Sequence, residues 1–264
     1  MVFRILLTRR WVVLTLVFLA VIPAMIWLGQ WQYHRYQQTN RNNAMINANL
    51  AAAAVPMEQL SQPGATIPLS EMYRTVTARG HFDPAHQFVV RHRTDASGDN
   101  IGFYLVTPLI QDDGKAVLVN RGWISPGNTM GAQFPAVPST PTGEVTVSGR
   151  LRPDETTALT GIRNPGGMPD RQFMLINSGE QAKHLSEPLL AGYLELTGSS
   201  PSLSSSGQAE QVPNPNDNQS DSMAVVGKGV HLPYAIQWWV FAALIPVAWW
   251  FLLRRDARLA ARKA

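Results

Sequence analysis

The chain has 264 residues and no cysteine, which excludes disulfide bonds, thiolate-bound zinc, iron–sulfur clusters and thiol nucleophiles. Its 22 lysines and arginines outnumber 18 aspartates and glutamates and give a formal net charge of +4, yet charged residues make up only 15% of the chain. A small net positive charge of this kind does not by itself indicate a binding partner. The positions of the basic residues along the chain must be considered first.

Two long apolar runs dominate the sequence. Residues 11–28 form a run of eighteen without a charge, and residues 235–253 form one of nineteen in which only Gln237 is strongly polar. Each is long enough to cross the hydrocarbon core of a bilayer, and a buried helix of a soluble protein rarely runs so far without a polar face. We therefore predict transmembrane helices at 11–28 and at 231–253, the second including its outer entry.

A cleaved signal peptide is the alternative for the first run, because Arg4, Arg9 and Arg10 precede it. The run is longer than a usual signal core, and the letters GQWQ follow it in place of a cleavage site of small residues. The sequence therefore favours an uncleaved anchor.

The basic residues gather at the two ends of the chain. Residues 1–10 and 254–264 hold eight of them and one acid, Asp256, so the ends carry +7 and the rest carries −3. By the positive-inside rule both ends are cytoplasmic, and residues 29–198 form an extracytoplasmic domain. The basic excess thus indicates topology and argues against nucleic acid as a partner. Because no transit-like presequence precedes Trp11, we expect a bacterial cell membrane.

The segment between the spans changes character along its length. Residues 32–60 are rich in Gln, Asn and Ala and suit a continuation of the first helix; short runs of β-branched and aromatic residues follow. The seven predicted strands are residues 73–82, 86–93, 103–110, 115–124, 144–151, 173–176 and 193–196. We predict a mainly-β (α+β) domain, a small antiparallel barrel or sandwich. A flexible linker is predicted at 199–230, which lacks apolar periodicity.

Enzymatic motifs are scarce, so we do not expect an enzyme. No phosphate-binding loop follows a predicted strand, there is no nucleophile elbow, and no pair of acidic residues has a catalytic spacing. A secreted-side enzyme on a membrane hairpin therefore has little support.

His231 stands out because it immediately precedes the second apolar run. On a helix, His231, Tyr234 and Trp238 share a face. Trp31 and Arg35 leave the first span at the same level of the membrane. Haem needs an axial ligand, apolar walls and often a cation for its propionates, and these side chains could supply them. The alternative is that the tryptophans and the histidine are simply interfacial anchors.

Several fragments in order along the chain resemble the Surfeit locus protein 1 family of cytochrome c oxidase assembly factors. The fragments are LGQWQ at 28–32 with Arg35, YR at 73–74 with GHFD at 80–83, TPL at 107–109, VLVNRGWI at 117–124, VSGRLR at 147–152 and HxxYAIQWWxF at 231–241. Each is weak alone, but their order between two spans makes the resemblance strong.

The resemblance implies an assembly factor of the terminal oxidase that binds haem a and passes it to the catalytic subunit. His231 matches the family's histidine at the second span and becomes the expected axial ligand of the haem iron, whereas His34 matches no family position. The partners implied are the oxidase subunits, chiefly the haem-bearing catalytic subunit, with haem a synthase and membrane lipid. Arg121 and Trp123 match a family signature and are expected to fix a strand end. The competing hypothesis is a haem-independent scaffold that holds oxidase subunits.

Overall fold

The computed structural model describes residues 6–127, 133–203, 209–212 and 230–261. The chain divides into two compact units, residues 1–43 with 226–264 and residues 44–225. The elements in chain order are α1 (Arg9–Ala51), β1 (Val55–Pro56), β2 (Thr75–Phe82), β3 (Phe88–Thr94), β4 (Ile101–Gln111), β5 (Ala116–Ile124), β6 (Val145–Arg152), α2 (Thr157–Thr160), β7 (Gln172–Phe173), α3 (Ser178–Gln181), β8 (Leu189–Ser200) and α4 (His231–Ala261).

The first unit is built on α1 and α4, which contain the two apolar runs and are long and apolar enough to cross a membrane. As the composition of residues 32–60 indicated, α1 continues past the run, but it ends at Ala51 rather than near residue 60. Val55 and Pro56 pair instead with β2, and a proline cannot continue the helix. Each long helix also contains a proline, Pro23 in α1 and Pro246 in α4. Helices that span membranes tolerate such prolines.

The second unit is a single sheet of eight strands. β6 lies antiparallel between β2 and β8, β8 runs parallel to β5, and β5 is antiparallel to β4. The end of β2 pairs with the end of β4, so that β2, β6, β8, β5 and β4 form a closed ring of pairings. β3 pairs with β4 and carries β7 on its other side. The prediction of a mainly-β domain between two apolar helices is confirmed.

The prediction of an antiparallel barrel or sandwich is wrong for three of the strand pairs. β5 and β8 are parallel, as are the short pairs β1–β2 and β3–β7. A parallel partner must be reached by a long crossover, and residues 125–188 form the connection between β5 and β8 through β6 and the two short helices. Alternating hydrophobicity predicts a strand but does not say which strand it pairs with, so it could not reveal this order.

Each predicted strand has a counterpart in the structure. The first begins at Thr75 because Tyr73 has a left-handed backbone with φ of 67°, which a strand does not accommodate. β8 is much longer than residues 193–196, since it lies between β5 and β6 and is buried on both faces over most of its length. β1, with two residues, was not predicted.

The linker predicted at 199–230 begins too early, because β8 includes Ser199 and Ser200. Beyond it, Leu203 and Ala209 are buried, and Glu210 forms a two-way backbone bridge with Trp123, at N···O distances of 2.7 and 2.9 Å. Gly122 has φ of 121°, and a Cβ there would lie 2.1 Å from the Glu210 carbonyl oxygen. The rest of the predicted linker, 204–208 and 213–229, lies outside the described residues.

The end of α1 belongs to the second unit. Ile46 is buried against Met72 and Tyr73. The Asn49 amide donates to the carbonyls of Ser70 and Met72, at 2.7 and 2.9 Å. The last turns of the helix are thereby joined to the segment that leads into β2.

A cluster of charges is buried where β6 meets β8. Glu195, 2% exposed, accepts a hydrogen bond from Nη1 of Arg152 at 2.9 Å, and its other oxygen lies 3.2 Å from Nε of Arg150. Arg152 also donates to the Tyr73 hydroxyl at 2.9 Å and lies over the Tyr73 ring. Buried charges are tolerated only with close partners of opposite sign, so each arginine here depends on Glu195.

Replacing Glu195 with glutamine keeps its shape and removes the charge that compensates the two arginines. We expect Glu195→Gln to lower the free energy of unfolding by about 3 kcal/mol, since it leaves buried charges uncompensated. Denaturant unfolding of the detergent-solubilised protein, followed by tryptophan fluorescence, measures the effect. Glu144→Gln, which removes the exposed pair with Arg79, is the matched control and should leave the midpoint unchanged. Equal midpoints for both variants would contradict the assignment.

Candidate functional site

The candidate site is built on the contact between α1 and α4, which run antiparallel in the first unit. At one end of the pair, the indole Nε1 of Trp11 donates to Asp256 at 3.2 Å, and that of Trp249 donates to Thr15 at 3.0 Å. The rings of Trp11 and Trp249 meet edge to face, with centroids 6.1 Å apart. These contacts fix the register of the two helices along each other.

Near the other end, a glycine lets the helices approach closely. A Cβ on Gly29 would lie 2.3 Å from Nε1 of Trp239, so the indole occupies the space that any side chain at position 29 would need. Tyr33, one turn further along α1, packs on the same indole with ring centroids 5.8 Å apart. On α4 the small residues Ala235 and Ala242 are buried. Small residues at a helix–helix contact are typical of membrane helix pairs.

His231 is the first residue of α4, and its side chain meets α1 at Gln32. Nδ1 of the imidazole lies 2.9 Å from Oε1 of Gln32. An amide oxygen only accepts, so in this orientation of the Gln32 amide Nδ1 is the donor, and Nε2 is the ring nitrogen outside the contact. Gln32 follows Gly29 by three positions and therefore lies on the same face of α1. The contact with Gln32 thus engages one of the two ring nitrogens of His231.

The other predicted site residues lie on neighbouring faces. Trp31 is 45% exposed, and the Arg35 guanidinium lies over its ring at 5.8 Å. Tyr234 is 46% exposed, and half-buried Trp238 meets Phe241 edge to face. The structure thus joins Trp31 to Arg35 and His231 to Gln32, and it leaves aromatic surface exposed on both helices.

Sequence reasoning missed three members of this region. Gln32, Gly29 and Trp239 all lie within the fragments on which the family resemblance rests, so the signal for them was present. Helical spacing from His231 selected Trp238, whereas the indole that packs on α1 is that of Trp239. The choice between adjacent tryptophans depends on the partner helix, which spacing within α4 does not reveal.

A porphyrin iron needs fewer ligands from the protein than a bare metal ion does. Among residues 6–127, 133–203, 209–212 and 230–261, no three His, Asp or Glu side chains are grouped so as to hold a metal ion, and the chain has no cysteine. A porphyrin supplies four equatorial nitrogens itself and asks the protein for an axial ligand. The imidazole of His231 is held through Nδ1, and the same two helices carry the exposed rings of Trp31 and Tyr234.

In the second unit, the signature residues Arg121 and Trp123 make structural contacts. Arg121, 1% exposed, donates to the carbonyls of Pro138 and Ser139 at 3.2 and 2.8 Å. Burial lowers the pKa of its guanidinium to about 10, which leaves it charged at neutral pH. Trp123 donates to the carbonyl of Arg93 at 2.9 Å. Both side chains tie β5 to neighbouring segments, in the structural role predicted for them.

The helix contact can be measured directly because the chain has no cysteine. In the double variant Gln32→Cys/His231→Cys, we expect efficient cross-linking within one chain by a short bismaleimide. The pair Gln30→Cys/His231→Cys is the control, since Gln30 is exposed on another face of α1. Adding Gly29→Leu should reduce the first cross-link several-fold, because the new side chain displaces Trp239. Equal yields from both cysteine pairs would contradict the proximity of Gln32 and His231.

Comparison with known proteins matches residues 19–243 to the SURF1 family. A SURF1-like protein of Mycobacterium tuberculosis (strain ATCC 25618 / H37Rv) is 29% identical over 265 residues, covering 98% of this chain and 89% of the relative. A SURF1-like protein of Rickettsia bellii is 32% identical over 104 residues, or 39% of this chain and 40% of the relative. The cytochrome oxidase assembly protein SHY1 of Saccharomyces cerevisiae is 33% identical over 100 residues, or 38% of this chain and 25% of SHY1. The family predicted from the sequence fragments is therefore confirmed, and the chain belongs to the SURF1 (Surfeit locus protein 1) family.

Proposed function

We propose that this protein is an assembly factor of cytochrome c oxidase that holds haem a at the outer ends of its two long helices and assists its insertion into the catalytic subunit. Family membership and the name of SHY1, a cytochrome oxidase assembly protein, support the assembly role. The observation that carries the haem part is the contact of His231 with Gln32, which engages the imidazole through Nδ1 and leaves Nε2 outside the contact.

Each predicted residue has a part in holding this cargo. His231 would hold the iron through its imidazole, and Trp31, Tyr234 and Trp238 would supply aromatic surface against the macrocycle. Arg35, whose guanidinium already lies over the ring of Trp31, supplies a positive charge for a propionate. The partners in this proposal are the oxidase subunits, chiefly the one that receives haem, with haem a synthase as the source of the cargo.

The outward faces of the helix pair support insertion in a membrane. Leu16 and Leu19 on α1 are each 61% exposed, and Phe251 on α4 is 66% exposed. In water so much contiguous apolar surface would aggregate, whereas in a bilayer it is solvated by lipid. In this proposal the protein crosses a bacterial cell membrane twice, with both basic ends in the cytoplasm. The second unit is then extracytoplasmic, and its closed ring of strands forms a small barrel.

The topology can be tested with single cysteines. Ala158→Cys lies at an exposed position in the second unit, and Ala261→Cys lies at the end of α4. In spheroplasts we expect a membrane-impermeant maleimide to label the first at once, and the second only after permeabilisation. Immediate labelling of Ala261→Cys, with Ala158→Cys protected, would reverse the proposed orientation.

The haem role predicts an absorbance signature. Protein purified from cells that make haem a should retain it, and His231→Ala should lose most of it because the axial ligand is gone. His184→Ala, an exposed histidine of the second unit, is the control and should retain haem like the wild type. Equal retention by His231→Ala would remove His231 from the ligand role. Co-purification of oxidase subunits with the wild type, without any haem, would select the scaffold hypothesis instead.

A further inference from the structure

The imidazole of His231 is oriented by a neutral side chain, the amide of Gln32. The two groups lie 2.9 Å apart, and both are half-buried. The protonated nitrogen and the ligating nitrogen of an imidazole are coupled, because a hydrogen bond to one ring nitrogen determines which tautomer is present and hence which nitrogen can bind a metal.

We propose that Gln32 is a positioning residue that fixes His231 as the Nδ1–H tautomer and, by being an uncharged acceptor, keeps it a weak and reversible ligand. The consequence for haem rests on the proposed function; the effect on the tautomer does not. Gln32 touches the imidazole rather than the iron, so it acts through His231.

The packing around Gln32 explains how its amide is held. Gly29, which lies on the same face of α1 as Gln32, and Tyr33, which follows Gln32, are both packed on the Trp239 indole. The backbone of α1 is thereby brought close to α4 one turn before Gln32, and the amide of Gln32 reaches the first residue of α4. The interaction therefore depends on the close approach at Gly29 and not on a flexible surface contact.

The choice of an amide has a chemical consequence. Metal-ligating histidines donate their second N–H to a carboxylate, a backbone carbonyl or water, and the acceptor raises the basicity of the imidazole. An amide oxygen orients the ring as a carboxylate does, but it is uncharged and therefore a weaker acceptor, so it raises the basicity less. A protein that transfers its cargo to another subunit needs an iron ligand that dissociates readily. An imidazole that donates to a neutral acceptor is a weaker ligand than one that donates to a carboxylate, and it therefore suits transfer better.

The tautomer can be read without haem by nitrogen-15 NMR of histidine-labelled, haem-free protein in detergent at alkaline pH. Protonated and bare ring nitrogens differ strongly in shift, and the His231 signals are assigned by their loss in His231→Ala. We expect Nδ1–H in the wild type and in Gln32→Glu. In Gln32→Leu the ratio should move roughly five-fold or more towards Nε2–H, as expected for the loss of one hydrogen bond. Gln30→Leu is the control and should match the wild type.

Two NMR results would overturn the proposal. One is an Nε2–H tautomer of His231 in the wild type, which requires no variant to fold. The other is an unchanged tautomer ratio in Gln32→Leu when circular dichroism shows its helix content to be intact.

The rate of haem release tests the second half of the proposal, that the uncharged amide of Gln32 keeps His231 a weak ligand. If the wild type binds haem a, its dissociation measured by transfer to apomyoglobin should be about ten-fold slower from Gln32→Glu and about ten-fold faster from Gln32→Leu. Faster release from Gln32→Glu than from the wild type would contradict this second half of the proposal. A wild type that binds no haem would overturn the proposed function together with that part, while the NMR result still decides whether Gln32 sets the tautomer.

Discussion

The contact of Gly29 with Trp239 is the constraint on which the first unit depends. α1 and α4 pack on each other while much of their remaining surface is exposed and apolar, so their association rests on what lies between them. In lipid, apolar burial gives little drive for helices to associate, and close packing with interhelical hydrogen bonds must supply it. Gly29 provides the packing. Trp11, Trp249 and His231 provide hydrogen bonds to the other helix along the length of the contact.

The second unit shows why several distant sequence fragments belong together. The YR fragment at 73–74 and the VSGRLR fragment at 147–152 meet where Arg152 contacts Tyr73 and Glu195. In the VLVNRGWI fragment, Gly122 makes room for the backbone of Glu210, and Arg121 and Trp123 bond to carbonyls of other segments. Their contacts are structural, so the fragments of this unit carry the fold, whereas those at 28–32 and 231–241 carry the candidate site.

The sequence located most of the helices and strands, but it did not show which elements pair with each other. Hydrophobic period and turn residues located both long helices and all seven predicted strands, because these signals are local. The parallel pairing of β5 with β8, the end of α1 at Ala51 and the bridge of Glu210 to Trp123 depend on segments far away in the chain. The same limit applied at the site. His231 was identifiable from its position at the start of an apolar run, but its contact with Gln32 joins residues 199 positions apart.

Under the proposed function, the candidate site should bind its cargo with limited affinity. A carrier must bind its cargo more weakly than the final acceptor does, and each 1.4 kcal/mol of difference changes the equilibrium about ten-fold. One axial imidazole, oriented by an amide and flanked by half-exposed aromatic rings, gives fewer strong contacts than a fully enclosed haem pocket would. Under the proposed function, the exposure of Trp31 and Tyr234 would leave the cargo accessible to a partner. A tighter pocket would improve binding and impair delivery, so an open site would suit transfer better than an enclosed one.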